Sequence, residues 1–210
     1  MTKPTHIPEM TPPYVHDYLR QLGREWTGQG VAIELGSWLG ASAIPLLEGL
    51  VEAGYDRPFY CFDKWIASEE ETIKANDQGL SIRYRQNLLP MFLENVTPIY
   101  SRIRAVQGRI QFKIRYYPGD PIEICLFDAP KREPVFSIAV NALKPYWIPG
   151  VTVLGLLDYY FYKRKPVGEQ KPYLAPVRFI ESHPGCFEKI KEWGGDDPCS
   201  CVFFKYVKKI

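Results

Sequence analysis

The chain has 210 residues, 46% hydrophobic and 14% aromatic, enough for one domain with a large core and little room for a second. Its 26 Lys and Arg against 24 acidic residues leave a formal net charge of +2, which gives no broad attraction to nucleic acid or to a membrane surface. The proline-rich start "MTKPTHIPEM" lacks the apolar stretch of a signal peptide and no apolar run is long enough to span a bilayer, so a cytoplasmic protein is expected.

Residues 1–12 read as a loose N-terminal segment of a single domain over 1–210. The stretch "PYVHDYLRQLGREW" sets Tyr14, Tyr18 and Leu22 at spacing four, the stripe of a helix with one apolar side. The first strand covers 31–35, and "GASAIPLLEGLVEAG" reads as the helix after it, with Pro45 tolerable in its first turn and Gly54 as its stop. A second strand, "PFYCFD", ends at Asp63, and a third, "IRAVQG", ends at Gly108. Between them, residues 68–96 look helical, with Ser68 and Glu71 at the spacing of a capping box. The apolar "PIEICLFDAPKR" gives a fourth strand ending at Asp128, followed by a helix, and "VTVLGLLDYY" a fifth ending at Asp158. A helix, a short strand near 187–190 and a terminal strand from "CSCVFFKYVKKI" complete the chain. Strand alternating with helix over this length predicts an α/β fold with a mostly parallel sheet. Ligands bind beyond the carboxyl ends of such strands, where Gly36, Asp63, Gly108, Asp128 and Asp158 all fall.

Five cysteines form no Cys-x-x-Cys pair, and Cys61 and Cys125 lie in apolar strands as reduced core residues. Cys199 and Cys201 would share one strand face, but no histidine lies near them to complete a structural zinc site. Asn95-Val96-Thr97 matches a glycosylation sequon by chance in a chain without a secretory signal.

The turn in "VAIELGSWLGASAIPLL", residues 31 to 47, brings glycine to the point where a strand meets a helix. Such turns let backbone amides approach a ligand at a helix N-terminus. A phosphate-binding P-loop would need Gly-Lys-Ser/Thr, but Gly40 is followed by Ala41 and Ser42. A dinucleotide fingerprint would need a second glycine where Trp38 stands, which also disfavours a nicotinamide-dependent enzyme. No Gly-x-Ser-x-Gly elbow of an esterase is present.

What remains, Glu34-x-Gly36-x-x-x-Gly40 with a carboxylate ending the second strand, resembles the cofactor motif of class I S-adenosylmethionine-dependent methyltransferases. In "ELGSWLGASAIPL", "CFDKW", "VQG", "CLFDAPKREPVF" and "LLDYY", taken in order, the chain is most similar to the branch containing macrocin-type sugar O-methyltransferases. The resemblance implies a Rossmann-like, doubly wound sheet of seven strands with the last antiparallel and helices on both faces. It implies that Glu34, Gly36, Ser37, Trp38 and Gly40 line the methionine part of the cofactor. Asp63 would accept hydrogen bonds from the ribose, with Lys64 and Trp65 beside it, and Gly108 and Arg109 would border the adenine.

Displacement at a sulfonium methyl needs mainly alignment, while a hydroxyl acceptor also needs a base or a metal. The macrocin-type branch uses magnesium, for which Asp128 and Asp158 are the matching ligands. Leu157 and Pro130-Lys131 depart from that pattern where further acids are expected. Without metal, Lys131, Tyr159 and His183 are the candidate bases, a loop histidine such as His183 being more often solvated surface. The tract "DYYFYKRKP" sets Lys163, Arg164 and Lys165 among four aromatics, fit for an anionic or sugar-like acceptor but too short for nucleic acid. The reading is therefore methylation of a small molecule, most simply at oxygen of a sugar or related metabolite. The alternative is a non-catalytic methyltransferase-like binding or assembly protein. Homo-oligomerisation stays open.

Overall fold

A computed structural model of the chain describes residues 7–8, 11–193 and 200–210. In chain order the elements are α1 (Pro13–Arg24), β1 (Val31–Leu35), α2 (Ala43–Glu52), β2 (Phe59–Asp63), α3 (Glu69–Asp77), α4 (Leu89–Val96) and β3 (Ile103–Gln107). Next come α5 (Ile110–Lys113), β4 (Ile122–Phe127), α6 (Val135–Leu143), β5 (Val153–Leu156), α7 (Ala175–Glu181), β6 (Phe187–Glu192) and β7 (Val202–Tyr206). The strands form one sheet in the order β3-β2-β1-β4-β5-β7-β6. β2 pairs parallel with β3, β4 pairs parallel with β1 and with β5, and β7 runs antiparallel to both β5 and β6. This is the expected doubly wound seven-stranded sheet with its last strand reversed. Among the described residues no helix is long and apolar enough to cross a membrane.

Every residue of β1, β2 and β4 is buried, as parallel strands covered on both faces require. That is why these segments read as mostly apolar runs rather than alternating ones, with Glu34, Asp63 and Glu123 as buried exceptions. At the sheet edge β6 exposes Glu188, Lys189 and Lys191, charges that deter pairing with another strand.

Contacts cluster into two compact units, Met1–Trp26 with Ser37–Gly108, and Thr27–Gly36 with Arg109–Ile210. In the first unit α1 packs on α2 through Val15, Leu19, Leu22 and Gly23. The expected stripe of Tyr14, Tyr18 and Leu22 is thus rotated, and Tyr14 stays 38% exposed. The aliphatic side chains, with no hydroxyl to keep wet, take the contact instead. Gly23 and Gly49 face the partner helix so closely that a Cβ on either would overlap backbone atoms. Pro45 lies within the first turn of α2, where its missing N–H costs no hydrogen bond.

The helical run expected over 68–96 is two helices. Ser68 and Glu71 form the full capping box that starts α3, and Gly79 follows its end at a φ of +83°. The chain then turns through Ile82, whose N–H donates to the Asn76 side chain, and Asn87 pairs with Ile66 before α4 begins. In the second unit the loop before β1 is held by the buried Glu123 carboxylate. It accepts the N–H groups of Thr27 (2.5 Å), Gln29 (2.9 Å) and Gly30 (3.1 Å).

Candidate functional site

In the first unit the turn after β1 closes with the Gly40 N–H donating to Ser37 O at 2.8 Å. Trp38 and Trp65 both adopt left-handed backbone, with φ of 42° and 43°, a conformation that costs a bulky residue of order 1 kcal/mol. One side chain holds both of them. Asp63 at the end of β2 accepts the Trp38 N–H on Oδ2 at 3.0 Å and the Trp65 N–H on Oδ1 at 2.6 Å. The Trp65 indole N–H then donates to Trp38 O at 2.8 Å, closing the loop of bonds. Burial pushes the Asp63 carboxyl above the ordinary aspartate range, although the two amide hydrogen bonds and nearby Lys64 act the other way.

Trp65 itself is fully buried, its ring 4.9 Å from that of Phe92. It supports the turn from within the core, beside Asp63. Lys64 pairs with Glu71 at 2.9 Å, so its charge is directed at the start of α3. Gly108, at a φ of +136°, donates its N–H to Asp63 O at 2.8 Å, joining the ends of β2 and β3.

Two polar atoms of the turn find no partner among the described residues. Ser37 is 2% exposed and Trp38 is 6% exposed, and both the Ser37 hydroxyl and the Trp38 indole N–H are buried without a hydrogen bond. Leaving such groups unpaired costs about 1–3 kcal/mol each, a cost that a bound ligand would remove. Gly40, at a φ of +97°, is close to Val96 and Phe92, so a side chain here would be strained by its backbone as well as crowded.

Sequence reasoning missed the structural role of Asn95, which donates Nδ2 to Leu39 O at 2.9 Å. Its partner lies 56 positions away, so nothing local could reveal it. Replacing Asn95 with alanine is expected to cost about 1 kcal/mol of stability and to weaken ligand binding at the turn, readable together by thermal unfolding with and without ligand.

In the second unit Glu34 is fully buried in β1, opposite Leu126 of β4. Gly36 takes a φ of +100° and a Cβ there would lie 2.5 Å from Ala129 N. The glycine is thus required by the close approach of the Asp128-Ala129 turn, whose two N–H groups both donate to Leu35 O at 2.9 Å. Arg109 is exposed at the start of α5.

Asp128 and Asp158 follow β4 and β5 at their carboxyl ends, as expected. The Asp158 carboxylate is bound by the Lys131 ammonium, which also lies 4.5 Å from the centre of the Phe161 ring. No group of three His, Cys, Asp or Glu able to hold a metal occurs among the described residues. Magnesium takes six oxygen ligands and often keeps several waters, so Asp128 and Asp158 would supply two of the six.

The structure places His183 apart from Asp128 and Asp158. It precedes β6, which runs parallel to β5 because both are antiparallel to β7. His183 therefore sits toward the amino ends of the strands, whereas Asp128 and Asp158 sit at the carboxyl ends. Its Nδ1 is 2.7 Å from Phe179 O and its ring packs among Phe179 and Phe187. Tyr159 is buried, and that burial, ahead of nearby Glu181, raises its hydroxyl to about 12, a poor base at neutral pH. His6 and Cys199 lie outside the described residues, while the Cys201 thiol donates to Leu157 O at 3.0 Å.

The fold is one shared with solved methyltransferases. No protein-family model matches the sequence, and no curated protein matches it. Among solved structures the O-methyltransferase NovP superposes with a TM-score of 0.66 at 14% identity, covering 97% of this chain and 84% of that one. An O-methyltransferase from Bacillus cereus in complex with SAH gives 0.61 at 14% identity, over 94% and 82% of the two chains. CalS11, a TDP-rhamnose 3'-O-methyltransferase of calicheamicin biosynthesis, gives 0.55 at 15% identity, over 91% and 77%. At these identities the likeness is one of fold.

Proposed function

We propose that the protein is an S-adenosylmethionine-dependent methyltransferase that acts on a small molecule, with oxygen of a sugar or related metabolite as the acceptor. The observation that carries this reading is the pair of buried, unpartnered donors at Ser37 and Trp38, set in a strand-to-helix turn of a fold shared with solved methyltransferases. The Ser37-Gly40 turn is the methionine end of the proposed site, with Glu34 and Gly36 leading into it. Asp63 is the ribose acceptor: each of its oxygens already takes one amide N–H, and a carboxylate oxygen has a second lone pair for a hydroxyl. Gly108 and Arg109 follow at the adenine end. That a TDP-sugar O-methyltransferase is among the similar structures supports the choice of a sugar-like acceptor.

When bound, the cofactor supplies a sulfonium methyl whose leaving group needs no activation. What the chain must do is hold the acceptor hydroxyl in line and receive its proton. The Lys131–Asp158 pair offers a donor and a carboxylate acceptor for that hydroxyl, with Asp128 on the neighbouring strand end. Cys125 and Cys186 are free thiols, which agrees with residence in a reducing compartment such as the cytoplasm.

Thermal unfolding tests this reading. S-adenosylmethionine or S-adenosylhomocysteine at about a hundred times its dissociation constant should add roughly 2.7 kcal/mol, or about 5–10 °C in Tm. A shift with NAD and none with either sulfur nucleoside would overturn it.

A further inference from the structure

The basic-aromatic tract after β5 divides by function. Lys163 lies 4.4 Å from the Tyr160 ring centre, and the Tyr160 hydroxyl donates to Glu192, which Lys189 also binds. Lys163 thus sits where an acid of the chain already answers its charge. The other cations turn elsewhere. Around the half-buried Phe161 ring gather Lys131 at 4.5 Å, Lys165 at 4.9 Å and Arg164 at 5.9 Å from its centre, and Lys165 also lies 5.4 Å from the Tyr173 ring. The Tyr173 and Phe161 rings are 5.3 Å apart.

Three cations on one ring repel one another, and contact with aromatic faces offsets that only in part. Lys131 has Asp158, but neither Arg164 nor Lys165 forms an ion pair among the described residues. This crowding is imposed by a bonded frame and not by loose side chains alone. Phe161 N–H donates to Asp158 O at 3.0 Å, Lys165 N–H to Tyr162 O at 3.0 Å, the Gln170 side chain to Lys165 O at 3.1 Å, and Glu133 N–H to Pro172 O at 3.0 Å. The frame therefore holds positive charge over an aromatic floor beside the Lys131–Asp158 pair, at the carboxyl end of β5.

We propose that this cluster is the acceptor's recognition site and that the acceptor is an anion: a ring compound whose phosphate or carboxylate is bound by Arg164 and Lys165 while its ring lies on Phe161 and Tyr173. The proposal rests on the methyltransferase reading for the identity of the acceptor, but the anion site itself stands on these residues. Arg164 supplies a planar fork suited to either oxyanion, and Lys165 adds a point charge.

Phenyl phosphate, benzoate and neutral benzyl alcohol, titrated separately into the full chain at low salt and followed by isotope-edited NMR, test it. The two anions should shift signals of Arg164, Lys165 and Phe161, benzyl alcohol should not, and the stronger of the two anions identifies the oxyanion preferred. Arg164→Ala and Lys165→Ala should each weaken that anion at least tenfold, and raising the salt should weaken it further. Equal binding of the neutral probe, no binding of either anion, or unchanged affinity in both variants would overturn the proposal. S-adenosylhomocysteine binding measured on the same samples separates the two readings. If it binds and the anions do not, only the acceptor assignment falls. If the anions bind and it does not, the methyltransferase reading falls and the anion site remains.

Discussion

Asp63→Ala is expected to lower affinity for S-adenosylhomocysteine at least tenfold and to cost about 2–4 kcal/mol of stability. The substitution strands the Trp38 and Trp65 amides in a site where Asp63 is only 7% exposed. Each buried amide without a partner costs about 1–3 kcal/mol, and relief of the buried carboxylate returns part of that total. The larger consequence is geometric: with neither amide held, nothing in the Asp63 side chain keeps the two tryptophans in left-handed backbone, and the Ser37 and Trp38 donors lose their aim. Asp63→Asn keeps one acceptor oxygen and should fall between the parent and the alanine variant. Calorimetric titration and chemical unfolding read the two effects separately. An alanine variant that keeps both its affinity and its stability would refute the role given to Asp63.

The pH dependence at this residue runs in two directions. Burial raises the folded-state carboxyl above the ordinary value near 3.9, so the folded chain holds this proton more tightly than the unfolded one. Its contribution to stability is therefore fully present below the unfolded value and is lost as pH rises through the raised folded value. Ligand affinity should move oppositely, because a protonated Asp63 gives up acceptor capacity for a ribose hydroxyl. Acidification should thus weaken S-adenosylhomocysteine binding from a pH above that of a solvated aspartate, and Asp63→Asn should abolish that dependence.

Gly49→Ala is expected to destabilise the chain by about 3 kcal/mol or more, the reverse of the roughly 1 kcal/mol that alanine gains over glycine in an exposed helix. A Cβ at Gly49 would lie 2.0 Å from Arg20 O, 2.9 Å from Arg20 C and 3.0 Å from Arg24 N. Gly23 meets the same limit from the other side, 2.4 Å from Leu46 O and 2.6 Å from Leu50 N. These are backbone atoms that cannot rotate away, so α1 and α2 would have to separate. Separation would also stretch the pair between Arg20 and Glu48, 2.6 Å at its shorter contact, and the neighbouring Arg24–Glu52 pair. Gly168→Ala, where a Cβ meets nothing within 4 Å, is the control and should stay within about 0.5 kcal/mol of the parent in urea unfolding. Equal midpoints for the two variants would mean that the helices are not in this contact.

Much of the fold could be read locally, because its signals are local. The apolar runs of β1, β2 and β4, the capping box at Ser68 and the place of Pro45 depend on neighbouring residues and on burial pattern. The strand-end positions of Gly36, Asp63, Gly108, Asp128 and Asp158 follow from the same periodicity, since alternation of strand and helix sends every parallel strand to the same edge. The break between α3 and α4 was less legible. It depends on the left-handed Gly79 and on pairing of Asn87 with Ile66, a partner contributed by chain before the helix.

The residue pattern by itself determined an α/β fold with a mostly parallel sheet and which residues arrive at the strand ends, since periodic burial and turn chemistry act over a few residues at a time, while the doubly wound order of seven strands was implied by the family resemblance. Only the tertiary structure decided what those residues do there. Asp63 turned out to bridge two tryptophan amides, Trp65 to back the turn from within the core, Lys131 to hold Asp158, His183 to lie toward the opposite edge, and the basic tract to divide between Tyr160 and Phe161. Each of these depends on hydrogen bonds, charges or ring contacts whose geometry is set only when distant strands and turns are packed together.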